Sequence, residues 1–196
     1  MPETRGNPTT LEFALLGLLD QGLLSGYDLR RFFATTPFTH YSDSPGAVYP
    51  ALRRLEARGW IAPLAGAPTN GRGRRALRLT AVGSRCFRAW LMKPPTQDEV
   101  VHDMGALYLR FAFMSQAVPA AVPRRFLASL RGLLEAHLER LERYHAHAKH
   151  AMSPTGRLVF EHGIDDIRHT VAWCASSAKA LAGDRSGRGR KKGGVS

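Results

Sequence analysis

The sequence predicts a mostly α-helical protein with one small β-hairpin, divided into an N-terminal module and a set of longer helices. Three observations predict this. Apolar residues recur at helical spacing over most of the chain. The period turns strand-like only around residues 60–80, on either side of a turn rich in Gly, Asn and Arg. The charge is uneven: of a net +12, residues 1–95 carry +7 (13 basic, 6 acidic), residues 96–182 carry +1 (10 and 9) and residues 183–196 carry +4 (5 and 1). A basic module joined to a balanced one suggests a polyanion-binding part beside a part with another task.

Several classes are excluded at once. With 44% hydrophobic residues among 196, the chain has material for a real core, so wholesale disorder is ruled out. No run reaches the roughly 18–20 apolar residues of a membrane span, so no membrane partner is expected. The start, MPETRGNPTT, is polar with both charge signs and reads as neither a signal nor a transit peptide. Cys86 and Cys174 lie too far apart for a disulfide framework or a zinc pattern, which makes the cytoplasm the expected location.

The first helix is LEFALLGLL, residues 11–19, capped by Thr9 or Thr10 and ended by Gly22. Leu11, Leu15, Leu18 and Leu19 share a face that Phe13 and Leu16 widen, so protein should surround most of it. Ser25 caps a second helix, GYDLRRFF, with Asp28 in its first turn and Pro37 beyond its end. Ser44-Pro45 opens a third, AVYPALRRLEARG, with Val48, Ala51, Leu52 and Leu55 inward and Gly59 at the stop. Pro50 falls within its first two turns, where proline costs less than in a helix interior. WIAPLAG and ALRLT then read as two strands joined by APTNGRGRR, with Leu77 and Leu79 on one face and Arg78 on the other. Thr80 caps a fourth helix, AVGSRCFRAWLM, which stops before Pro94-Pro95.

PPTQDE reads as a linker, followed by helices over roughly 98–117, 121–152 and 156–182. The long middle helix carries Leu127, Leu130, Leu134, Leu138 and Leu141 at spacings of three and four, a coiled-coil-like seam. DRSGRGRKKGGVS has no apolar periodicity and reads as a disordered basic tail. The expected organisation is therefore a winged helix-turn-helix over 1–95, an α-helical dimerisation domain over 96–182 and the tail over 183–196.

The chain resembles the PadR-type transcriptional regulators. The resemblance rests on LLGLL (15–19), SGYDLRR (25–31), AVYPALRRLEARGWI (47–61), GRGRR (71–75) and LRLTAVG (77–83). LVFEHGIDDIRHTVAW (158–173) resembles the helical dimerisation region of longer members. One departure is that Ala76 and Leu77 stand where the family often has aromatic residues. The resemblance implies a winged-helix homodimer that binds operator DNA as an inverted repeat and usually represses. Some members answer small aromatic or apolar effectors.

In a helix-turn-helix the second helix enters the major groove N-terminus first, which nominates Ser44, Ala47 and Tyr49 near the bases. Arg53 and Arg54, a turn further on, suit phosphates or a guanine edge. Two alternatives stand beside this: the arginines form a solvated face paired to Glu56 or Glu12, and Tyr49 packs on the second helix. Arg72, Arg74 and Arg75 on the wing suit phosphates or a narrow minor groove. Leu127, Leu130, Leu134, Leu138, Leu141 and Trp173 are the candidate dimer contacts. Trp90, Tyr108, Phe111, Phe113 and Trp173 are candidates for an effector pocket, although aromatics at helical spacing also build plain core.

Seven of eight histidines follow residue 100, and His147 shares a helical face with His150. They lack the three or four ligands a zinc site usually has, so neither metal nor other cofactor is expected. Without a nucleophile–base set or a phosphate loop, the sequence does not read as an enzyme. The rival reading is a module that binds nucleic acid or an acidic protein partner non-specifically.

Overall fold

A computed structural model describes residues 7–22, 25–35, 45–64 and 76–188. Contacts divide the chain into two units. One holds Met1–Lys93 and Tyr108–Val118; the other holds Pro94–Leu107 and Pro119–Ser196.

The first unit opens with α1 (Thr10–Asp20). Thr9 is its N-cap in a full capping box, its side chain accepting from the Glu12 amide while the Glu12 carboxylate accepts from the Thr9 amide. Every residue from Ala14 to Leu19 is buried, as the wide apolar face predicts. Helix α2 (Gly26–Thr35) starts at Ser25, whose hydroxyl accepts from the Asp28 amide. Helix α3 (Pro45–Ala57) turns Val48, Ala51, Leu52 and Leu55 inward.

At the end of α3 the Trp60 amide donates to the Leu55 carbonyl and the Gly59 amide to that of Glu56, with Gly59 at φ +68°. This is a Schellman turn, and the left-handed backbone is why glycine stands there. The chain leaves directly into β1 (Ile61–Pro63), antiparallel to β2 (Leu77–Leu79) in the register Ile61↔Leu79, Ala62↔Arg78, Pro63↔Leu77. Leu77 is buried and Arg78 exposed, as alternation requires.

Helix α4 (Ala81–Leu91) is capped by Thr80, whose hydroxyl accepts from the Gly83 amide and donates to the Gly59 carbonyl. A Cβ on Gly83 would stand 1.9 Å from the Trp60 carbonyl oxygen. The threonine and glycine of the L-T-x-x-G motif thus fasten α4 to the corner where α3 becomes β1.

The segment read as a linker is half helix. Thr96 caps α5 (Gln97–His102) in a second capping box with Glu99, so T-Q-D-E is a helix start. The single helix expected over 98–117 is three: α5, α6 (Met104–Ala112) and α7 (Met114–Ala117). Asp103 makes the first break. Its backbone leaves the helical region (φ −148°, ψ 48°) and its carboxylate accepts from the Ala106 amide. The boundary between the units falls inside α6, so 108–118, expected among the C-terminal helices, packs in the first unit.

The second unit is dominated by α8 (Val122–Ala148) and α9 (Pro154–Arg188), which pack along one another as an antiparallel pair. Ser153 turns the chain between them, its hydroxyl accepting from the Gly156 amide. Across the pair Arg168 meets Glu142 at 2.6 Å and Tyr144 meets Phe160 at 5.6 Å between centroids. Helix α9 runs to Arg188, past Ala182 where the apolar periodicity ends. Extending a formed helix adds one hydrogen bond per residue and needs no apolar contact. The rest of the expected tail, 189–196, lies outside the described residues.

Candidate nucleic-acid interface

The outward side of α3 carries two stripes of different character. Tyr49 and Arg53 form the first, one turn apart and both exposed, with Tyr49 at 44%. The tyrosine ring rests against the start of α2: a Cβ on Gly26 would meet its Cε1 at 3.1 Å. Tyr49 therefore packs on the second helix, one of the readings its sequence position allowed, and leaves part of its side chain in solvent. Arg53 is exposed. Ala47, nearer the helix start, is half-buried.

Arg54 and Arg58 form the second stripe, and both turn to α1. The Arg54 Nε donates to Glu12 Oε1 at 2.6 Å, and an Arg58 terminal nitrogen lies 3.3 Å from Glu12 Oε2. The Arg58 guanidinium also lies over the Trp60 ring, 5.4 Å from its centroid. Glu12 is wholly buried, while the Arg54 side chain is 49% exposed. A carboxylate removed from water needs several donors to remain charged, and here a capped amide and two guanidiniums supply them. Its first-turn position adds the favourable end of the α1 dipole. Of Arg53 and Arg54, read together from the sequence, one is solvated and the other ion-paired to Glu12.

Ser44 and the wing residues Arg72, Arg74 and Arg75 lie outside the described residues. The hairpin that leads to the wing is in place, closed by a hydrogen bond from the Leu64 amide to the Ala76 carbonyl.

The first unit also holds an aromatic cluster. Trp90 stacks on Phe13 (centroids 4.5 Å, interplanar 3°), and Phe87 meets Phe113 edge-on (6.0 Å, 71°). Beside the cluster lies an apolar pocket of about 160 Å³, lined by Ala14, Leu18, Gln21, Phe32, Leu109, Ala112 and Phe113. Gly17 permits its wall: a Cβ there would stand 2.6 Å from the Phe113 ring. Of the aromatics nominated for an effector pocket, Phe113 lines this one and the others do not. Trp90 belongs to the stack, Tyr108 is exposed, Phe111 is half-buried on α6, and Trp173 is half-buried on α9 in the other unit.

In the second unit Leu127, Leu130 and Leu134 are buried within the protomer itself. Leu138 and Leu141 are half-buried. The large apolar residues left in water on this hairpin are instead Tyr144, Leu158 and Val159, at 59%, 62% and 72% exposure. Among the described residues no three His, Cys, Asp or Glu side chains gather as a metal site, and no helix is long and apolar enough to cross a membrane.

Sequence reasoning passed over Glu12 as more than a possible partner, and read Phe32 only as apolar surface of the second helix. The T-x-x-E spacing at Thr9 was a visible signal for Glu12; Phe32 carried none, since the pocket comes together only in the fold.

Residues 15–89 match the transcriptional regulator PadR-like family, and residues 107–182 match the virulence activator alpha C-term family. The chain is 30% identical over 93 residues to the negative transcriptional regulator PadR of Bacillus subtilis (strain 168), over 47% of this chain and 51% of that protein. The match thus spans about half the length of that relative. Among solved structures it is similar to Bacillus subtilis PadR in complex with operator DNA (TM-score 0.41, 23% identity, 87% of this chain and 98% of that one). It is also similar to the same regulator in complex with p-coumaric acid (TM-score 0.40, 22% identity, 88% and 99%). A PadR-like transcriptional regulator from Bacillus cereus is similar too (TM-score 0.38, 22% identity, 89% and 99%).

Proposed function

This chain belongs to the PadR-like family of transcriptional regulators, and from that premise we propose that it is a homodimeric repressor which reads an inverted-repeat operator in double-stranded DNA. The observation that carries the reading is the outward stripe of α3. Tyr49 and Arg53 stand exposed on the helix that follows α2, next to a two-stranded wing, in a basic half of the chain. An α-helix so presented fits the major groove, where Arg pairs with a guanine edge and Tyr positions or touches a base. The arginines of the wing, Arg72, Arg74 and Arg75, then take phosphates on the flank. On this reading the protein works in the cytoplasm, where its DNA is.

Dimerisation through the second unit is supported by Tyr144, Leu158 and Val159, apolar side chains that a partner protomer would cover. Leu138, Leu141 and Trp173 are half-buried on the same pair of helices. Release by a small apolar or aromatic effector is supported by the pocket beside Phe113. Its 160 Å³ matches the roughly 150 Å³ that holds a benzene-sized guest.

Selection from a pool of random duplexes tests the function. The expected winner is an inverted repeat whose half-sites are about 34–36 Å apart, or a multiple of that. Equal affinity for selected and scrambled duplexes would overturn the reading in favour of a non-specific nucleic-acid module.

A further inference from the structure

We propose that Glu12 sets the specificity of DNA reading by holding Arg54 and Arg58 away from the phosphate backbone, so that Arg53 is the cation of α3 left for DNA. The proposal rests on the DNA-binding function argued above and goes beyond it in giving a role to a buried residue that touches no DNA.

The arrangement has three parts. Glu12 cannot follow a moving arginine, because its carboxylate is buried and also accepts from the Thr9 amide at the α1 N-cap. Arg54 is tied through Nε at 2.6 Å, which turns its guanidinium toward α1 although half of the side chain remains in solvent. Arg58 is held twice, by Glu12 at 3.3 Å and by the face of Trp60. Arg53, just before Arg54 in sequence, is exposed and does not share in the cluster.

Phosphate contacts bind every sequence alike, and each neutralised phosphate adds about 0.9 to the slope of log affinity against log salt. Specificity is the ratio of operator affinity to affinity for other DNA. Two arginines withheld from phosphates lower the second affinity without weakening any base contact. Glu12 is thus a positioning residue that acts through Arg54 and Arg58.

Salt titrations on a selected and a scrambled duplex test this, since a merely architectural tie between α1 and α3 would not move the slope. Arg53→Ala should make the slope shallower by about one, a three- to fourfold smaller loss of affinity between 50 and 200 mM salt. Arg54→Ala, which leaves Glu12 with Arg58 and the Thr9 amide, should keep the wild-type slope. Glu12→Gln should steepen it by one or more, raise affinity for the scrambled duplex and lower the specificity ratio. The first two effects should be absent in Asp20→Asn, which removes the same charge from the exposed end of α1. In Arg54→Ala the added Glu12→Gln should steepen the slope by about half as much, since only Arg58 is then released. Circular dichroism checks each fold; should Glu12→Gln not fold, the comparison of Arg53→Ala with Arg54→Ala decides. An Arg54→Ala slope as shallow as that of Arg53→Ala, in a wild type that still prefers its selected duplex, overturns this proposal alone. A wild type with no salt-dependent DNA binding overturns it together with the function.

Discussion

The carbonyl oxygen of Trp60 occupies the space that a side chain on Gly83 would need, 1.9 Å from the position of its Cβ. The obstacle is backbone, held by the Leu55–Trp60 hydrogen bond on one side and the Thr80 hydroxyl on the other. It cannot swing aside as a side chain would.

Gly83→Ala should therefore destabilise the first unit by about 3 kcal/mol or more, the upper range for overpacking a site that cannot relax. Gly132→Ala, in open space on α8, should instead stabilise by about 0.4–1 kcal/mol, because alanine loses less chain freedom in a helix. Chemical denaturation of both variants checks the contrast.

Gly17 and Phe113 should be coupled. Gly17→Ala forces the Phe113 ring to move, at about 1–3 kcal/mol. Phe113→Ala opens space at a cost of about 3–5 kcal/mol if the ring's surroundings behave as core. The double variant should be more stable than the two losses added together, by about 1 kcal/mol or more. Strict additivity would mean that the ring already has room.

The protomer association should respond to Leu158→Glu with Val159→Glu, since both residues are exposed and their loss costs the single chain little. Light scattering should show a monomer with an unchanged circular dichroism spectrum, and operator affinity should fall by far more than one phosphate contact accounts for. Leu134→Glu is a different experiment: Leu134 is buried in its own protomer, so that variant should unfold the α8–α9 pair.

The pH dependence of stability should have an alkaline limb from Cys174. Burial pushes its thiol up to about 11, with Arg131 opposing and Glu135 adding to the rise. The unfolded thiol ionises near pH 8.5, so the folded state is the one that retains the proton between the two values. Stability is then whole below the unfolded value and falls as pH climbs toward the folded one. On the acid side, burial and the neighbouring Arg140 lower the His137 pKa, so its contribution is lost as pH drops below the ordinary histidine range. Urea midpoints across pH 5–11 should show both limbs, and Cys174→Ser should flatten the alkaline one.

The first unit was legible because its signals are local. Thr9, Ser25, Thr80 and the glycines at 22 and 59 sit within a few residues of the helix ends they define, and the alternation at Leu77–Leu79 settles the strand face. Asp103 was passed over because a single Asp inside an apolar run resembles a solvated position until its backbone leaves the helix. The seam on α8 was read as apolar and assigned to a partner protomer; Leu127, Leu130 and Leu134 are buried within their own chain, because periodicity shows that a face must be covered and not by what. Arg53 and Arg54, adjacent in sequence, point some 100° apart on a helix, and the contact that separates them reaches back to Glu12 in α1.

The division of the chain bears on how such a regulator can be rebuilt. Residues 108–118 belong with the first unit although 94–107 lie with the second, so the chain passes between the units more than once. A cut after Pro95 would strip Leu109 and Phe113 from α1 and expose Leu18 and Phe87 in the fragment. The first unit is therefore not a cassette that ends where the winged helix ends. Chimaeras that graft a new second unit onto it should keep α6 and α7 from the same parent, and a library of crossover points should find its soluble members beyond residue 118.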